Sequence, residues 1–348
     1  MRLMQTVRRT LRDAFALTPT PNPLRRTWDF GVSVAISTAM CFAVGQQTGA
    51  SLAALTILFI YFLDFGGPPR HRAPTIFIGL LLVIGCGILG HLAAPFNAAQ
   101  VGGVFVLSLL TGWTVNSGPR VLQIFRFGTV AFLVTTALPE IGLPDIAFIV
   151  LGAAVSFLVS STTDSQSGFS RRFQVGNLRR ETHKLFRSPR RHRRFALTFG
   201  TVAALGLVLG QELGLSHPYW ITVTTIFTMQ PEAHIAFTRL FQRVTGTLVA
   251  VPVTLLLLSV AHQPLAMAAC LVIAAFLFPV AFARNYLLAS TVIVIFIIIA
   301  IGLGYASHTV ALHLLWARMD ETLVGAILAA VGILITYADR IRPHSLPP

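Results

Sequence analysis

Apolar residues run through this chain in long blocks separated by short polar turns, and the blocks are of helix-spanning size. A membrane-crossing helix needs about 20 predominantly apolar residues. Such blocks lie near 28–46, 50–64, 74–95, 98–116, 121–138 and 144–162, and again near 195–212, 217–230, 239–261, 264–283, 285–305 and 311–338. The pattern predicts an all-α polytopic membrane protein with about twelve transmembrane helices in two groups of six. Ahead of the first block, Leu3, Met4, Val7, Leu11, Ala14 and Phe15 share one helical face opposite Arg8, Arg9 and Arg12. That spacing fits an amphipathic helix on the inner leaflet, the alternative being a frayed basic tail. The first 24 residues have no apolar core of signal-peptide length, and Trp28 to Gln46 reads as the first span.

The second half echoes the first. Arg25-Arg26 is matched by Arg193-Arg194, Phe30-Gly31 by Phe199-Gly200, Gly45-Gln46 by Gly210-Gln211, Arg72 and Gly79 by Arg239 and Gly246, and Gly152-Ala153 by Gly325-Ala326. Matches that keep their order point to an internal duplication. With six spans each, both copies begin on the same side and form two parallel pseudo-symmetric repeats about an axis along the membrane normal. The expected organisation is a cytoplasmic amphipathic segment (1–24), a first six-helix repeat (25–162), a basic cytoplasmic linker (163–194) with an amphipathic stretch around Phe173 to Phe186, a second repeat (195–340) and a cytoplasmic tail (341–348).

Composition excludes a soluble globule: 55% of the 348 residues are hydrophobic and 11% charged, too little polar surface to coat a protein of this size. The net charge of +14 marks topology and not nucleic acid. With both termini in the cytoplasm, Arg2 to Arg26, Arg70, Arg72, Arg120, Arg126, the Arg171 to Arg194 group, Arg239, Arg243, Arg284, Arg340 and Arg342 all fall inside. The outer loops contain no Lys or Arg, as the positive-inside rule requires, and only Arg318 sits within a span. Cys41, Cys86 and Cys270 lie in separate apolar blocks and read as small buried hydrophobes. The ten histidines show no metal-ligand spacing, and no nucleophile motif, phosphate loop or paired catalytic carboxylates are present. The reading is a non-enzyme without metal, cofactor or ATP-driven domain, whose partner is the lipid bilayer.

Two blocks are short. Ser51 to Asp64 and Ser216 to Met229 are each about 14 residues and end in helix breakers, Gly66-Gly67-Pro68-Pro69 and Gln230-Pro231. Interrupted spans at matching positions are the best sequence pointer to a transporter's site, although tilted ordinary spans would look the same. Around the second of them stand Tyr219 and Trp220, as interfacial anchors or site residues, and Gln230. Arg239 and Arg243 follow four residues apart on one helical face, with Arg72 as the first-half counterpart of Arg239. Arg318, Asp320 and Glu321 lie inside the last block, where each charge costs at least ~2.5 kcal/mol unless paired or wetted. One acid is expected to pair structurally with Arg318 and the other to carry a proton, with Asp64 as a weaker candidate.

Tyr219-Trp220, Gln230-Pro231, Arg239-x3-Arg243-x2-Gly246-Thr247 and Arg318-x-Asp320-Glu321-Thr322-Leu323-x-Gly325 resemble the signature of the fusaric acid resistance family. These are bacterial inner-membrane proteins grouped with the aromatic acid exporters and, more distantly, with the aluminium-activated malate transporters of plants. The resemblance covers mainly residues 195 to 340. It implies proton-coupled export of aromatic or other organic carboxylic acids from a bacterial cytoplasm, with a periplasmic adaptor and a homo-oligomer as further partners. Arginines in low dielectric favour such anionic cargo. The alternatives are a passive organic-anion channel and a non-transporting membrane scaffold.

Overall fold

A computed structural model describes residues 12–18, 23–65, 69–137, 142–163, 181–184, 190–305 and 308–341. The first six helices are α1 (Leu24–Ala43), α2 (Gln47–Leu63), α3 (Pro69–Ala93), α4 (Asn97–Thr114), α5 (Pro119–Ala137) and α6 (Leu143–Thr163). They are followed by α7 (Arg190–Glu212), α8 (Tyr219–Thr228), α9 (Ala233–Val260), α10 (Pro264–Arg284), α11 (Tyr286–Gly304) and α12 (His308–Ile341). Eight helices among the described residues are long and apolar enough to cross a membrane, and α2, at 17 residues, is a shorter apolar one. Most of the amphipathic stretches at 3–15 and around Phe173 to Phe186 lie outside the described residues; residues 12–15 and 181–184 are helical.

Local chemistry sets the helix ends. Gly45 and Gly214, each two residues past a helix, have φ of 72° and 64°, a left-handed turn that suits glycine. In both turns the next residue's N–H reaches back to an orphan carbonyl, Gln46 to Cys41 and Leu215 to Gly210. The same kind of turn thus ends both helices, with its left-handed glycine at Gly45 and at Gly214. The Asn285 side chain caps α11 by accepting from the Leu287 N–H at 2.6 Å. The expected short pair is uneven: α8 is a helix of 10 residues, whereas α2 has 17.

Packing is interlocked. Within the first half α1 lies on α2 and α6, α2 on α6, α3 on α5, and α4 on α5. In the second, α7 lies on α8 and α12, α8 on α12, α9 on α11, and α10 on α11. Across the seam α1 packs on α10, α4 on α7, α2 on α11 and α5 on α8. Both large apolar clusters consequently mix helices of the two halves. One joins Phe30, Ile57, Leu271, Phe278 and Phe296; the other joins Val104, Leu133, Phe199, Trp220, Ile226 and Ile333. Large exposed apolar side chains such as Leu92, Leu158, Leu256, Leu265 and Ile327 cover the outside, a surface suited to lipid and not to water.

Candidate functional site

The short helix α8 is buried along its whole length, and its neighbours α12, α9 and α5 bring charge to it. Close approach comes first. A Cβ at Gly325 would lie 2.8 Å from the Ile221 carbonyl oxygen, so only glycine lets α12 sit this near α8. That contact delivers Arg318 flat onto Trp220, its guanidinium carbon 3.8 Å from the ring centroid. Both side chains are sealed, at 2% and 5% exposure. One turn on, Glu321 is equally buried and accepts the His217 backbone N–H at 2.9 Å through Oε1.

These groups are incompletely satisfied. Both terminal nitrogens of Arg318 and the Oε2 of Glu321 are buried without a hydrogen-bond partner. No carboxylate oxygen lies within ion-pairing distance of Arg318 among the described residues, so the expected ion pair of Arg318 with one of the neighbouring acids is replaced by a stack on Trp220. Asp320 is exposed on the opposite side of α12 and does not join the cluster. Tyr219 and Trp220 are buried in the helix bundle and tilted against each other at 5.0 Å.

Arg243 approaches from α9. It is buried, donates a long hydrogen bond to the Ser290 hydroxyl at 3.4 Å, keeps Nε unpartnered, and lies within Coulombic range of Arg318. Gly246 permits the approach of α9 to α11, since a Cβ there would meet the Leu287 carbonyl oxygen at 2.8 Å. Arg239, one turn nearer the start of α9, is half-buried over the Tyr286 ring at 5.5 Å. Gln230 is buried; its carbonyl accepts from the Tyr337 hydroxyl at 3.4 Å, and its side-chain nitrogen has no partner. Of the α8 threonines, Thr222, Thr225 and Thr228 bond to backbone carbonyls, while the Thr224 hydroxyl is unpartnered.

The first half supplies what the sequence reading assigned only to topology. Arg126 of α5 is 5% exposed, with its guanidinium 5.5 Å from the Phe227 ring centroid and Nε unpartnered. The signal was present: Arg126 lies seven residues past Pro119, roughly 10 Å into α5, with Ile124, Phe125 and Phe127 beside it. Asp64 is elsewhere, in a small cleft with Arg26, Asp29, Tyr61 and Ser160, and its backbone carbonyl accepts from Arg26. Arg72 falls in the first turn of α3, and its side chain lies outside the described residues.

The arrangement is thus a tract of buried guanidiniums on aromatic faces, with one carboxylate, enclosed by apolar helices. Such a tract fits an anion with an apolar body, because the cations supply forked donors and the rings a face to stack on. No group of three or more metal-ligating side chains occurs among the described residues.

Comparison with known proteins follows the same part of the chain. Residues 191–332 match the family described as "Fusaric acid resistance protein-like". The Inner membrane protein YccS of Escherichia coli (strain K12) is 27% identical over 146 residues, which is 42% of this chain and 20% of that protein. The chain therefore aligns with a fifth of that relative's length. No solved structure matches. The match of residues 191–332 contains α8, Arg239, Arg243, Arg318 and Glu321, so the part of the chain that is similar to the fusaric acid resistance protein-like family is the part that builds this cluster.

Proposed function

We propose that the protein is an inner-membrane exporter of aromatic or other organic carboxylic acids, driven by the proton gradient, with both termini in the cytoplasm. The observation that carries this reading is Arg318, buried on Trp220 with its terminal nitrogens unpartnered, beside a carboxylate with one free oxygen. An aryl carboxylate would supply acceptors for those nitrogens and an apolar ring suited to the aromatic surroundings. Arg318 and Arg243 hold the anion, Trp220 and Tyr219 face its ring, and Glu321 exchanges the coupling proton. Arginine keeps its charge under all working conditions, so the proton is carried by the acid and the cargo by the base.

Two parallel six-helix repeats are the architecture that goes with this function. Its support is the pairing of α1–α6 and α7–α12 neighbours, and two equivalent close approaches. A Cβ at Gly152 would meet the Ala53 carbonyl oxygen at 2.6 Å, just as one at Gly325 would meet that of Ile221. The inner-membrane placement is supported by the relative's name and by the basic inner loops. A cysteine at exposed Gln263 should then react with an impermeant thiol reagent in intact cells, and one at exposed Thr162 should not.

The test is transport by the pure protein in proteoliposomes. Accumulation of benzoate or salicylate against its gradient, only when a pH difference is imposed, is the expected result. Glu321→Gln should retain binding and lose dependence on the pH difference. Downhill flux that ignores pH would replace the exporter with an anion channel, and absence of flux for a panel of carboxylates would leave a non-transporting membrane protein.

A further inference from the structure

We propose that Arg126, with Phe227 and Tyr286, forms a second, inner anion station on the same path as Arg318 and Trp220, so that each chain holds two organic carboxylates at once. The proposal rests on the anion-transport reading above and adds a binding site contributed by the first half.

Helix α8 organises both stations. Trp220 near its first turn meets Arg318 of α12, and Phe227 near its last turn meets Arg126 of α5. Seven residues of helix separate them by about 10 Å. The chemistry at the two ends is alike: a buried arginine over an aromatic ring, with guanidinium nitrogen left unpartnered. Tyr286 lies within Coulombic range of both Arg126 and Arg318, its hydroxyl is buried and unpartnered, and Arg239 stacks on its ring. Arg243 stands within range of Arg318 and extends the run of cations between the ends.

A guanidinium buried in an apolar bundle needs partners for its charge and for its N–H groups. A phenyl face at 5.5 Å answers the charge in part and leaves Nε without an acceptor. Among the described residues the charge that acts on Arg126 is that of Arg239, another cation. An arginine buried this way is left in deficit by the protein alone, and a carboxylate arriving at its donors removes the deficit. The surroundings also select the rest of the ligand. Phe227 contacts Phe127 edge-on at 5.8 Å, and Phe127 contacts Phe59 and Phe62, giving an apolar wall for an aryl group.

The experiment is equilibrium binding of radiolabelled benzoate to the full chain in nanodiscs of zwitterionic lipid, where no anionic headgroup competes. Wild type should bind two benzoates per chain. Arg126→Gln and Arg318→Gln should each bind one, and Arg126→Lys should bind two with the inner affinity weakened about tenfold, the loss of one charge-assisted bond. Wild type and Arg126→Gln with the same stoichiometry and affinity, both still transporting, would overturn the inner station and leave the exporter standing. A wild type that neither binds nor moves benzoate or any carboxylate of the panel would remove both. Gel filtration of each variant as a single peak, with unchanged helical circular dichroism, confirms that the variants compared are folded.

Discussion

The stack of Arg318 on Trp220 has a measurable coupling energy. At 3.8 Å, with both partners sealed from solvent, a cation–π contact is worth about 2 kcal/mol. Replacing Trp220 by Leu removes that and part of a large buried side chain, so its cost should be roughly 3 kcal/mol, of which about 1 is lost packing. Replacing Arg318 by Met removes a buried charge that has no ion pair, and this should be neutral or stabilising. In the Arg318→Met background the Trp220→Leu change should then cost only its packing share, about 1 kcal/mol. The double-mutant cycle should return a coupling of about 2 kcal/mol. Unfolding by dodecyl sulfate in mixed micelles, followed by circular dichroism, supplies the four free energies. A Trp220→Leu cost that is the same in both backgrounds to within about 0.5 kcal/mol would show that the ring does not hold the cation.

Three further outcomes follow from packing and charge. Gly325→Ala and Gly152→Ala should each destabilise by about 1–3 kcal/mol, because their Cβ atoms would press on the Ile221 and Ala53 carbonyls, whereas Gly85→Ala, with open space at its Cβ, should be close to neutral in the same unfolding assay. Glu181→Gln should cost about 1–2 kcal/mol, since the carboxylate accepts the Arg120 and Val121 backbone N–H groups at 3.0 and 3.1 Å and the Arg120 guanidinium at 3.1 Å. Burial holds the His217 imidazole, in the connection before α8, below its ordinary pKa. The unfolded chain then binds the proton first, so stability is full above about pH 6.5 and falls as pH drops toward the lower folded value; a His217→Gln variant should flatten that part of a pH–stability curve.

Much of this was written in the residue pattern, and the exceptions have physical causes. Apolar block length separated the helices, and eight of those described are long and apolar enough to cross a membrane, because lipid selects long apolar runs directly. Arg243, Arg318 and Glu321 were visible as charges inside apolar blocks, and all three are buried where α8, α9 and α12 meet. Asp320 was equally visible but faces outward, since one residue along a helix turns a side chain by about 100° and only packing says which side is inside. Arg126 was absorbed into a charge count because it lies close in sequence to the turn before α5; depth within a helix, and not nearness to a turn, was the property to read. Arg318 drew attention to its acidic neighbours in sequence, yet its partner is Trp220, 98 positions away, a contact that only tertiary packing creates.

The bond from Glu181 to the start of α5 also sets an order of events during synthesis. Arg120 and Glu181 are 61 residues apart, and Glu181 follows the last helix of the first half. At bacterial rates of about 5–20 residues per second, the N–H groups that open α5 wait roughly 3–12 s for their acceptor to be made. Helix α5 carries Arg126, so the segment bearing this charge is made before the carboxylate that caps its first turn. A ribosome stalled shortly before codon 181 would hold a first half whose helices are all translated and whose α5 is still open at its first turn.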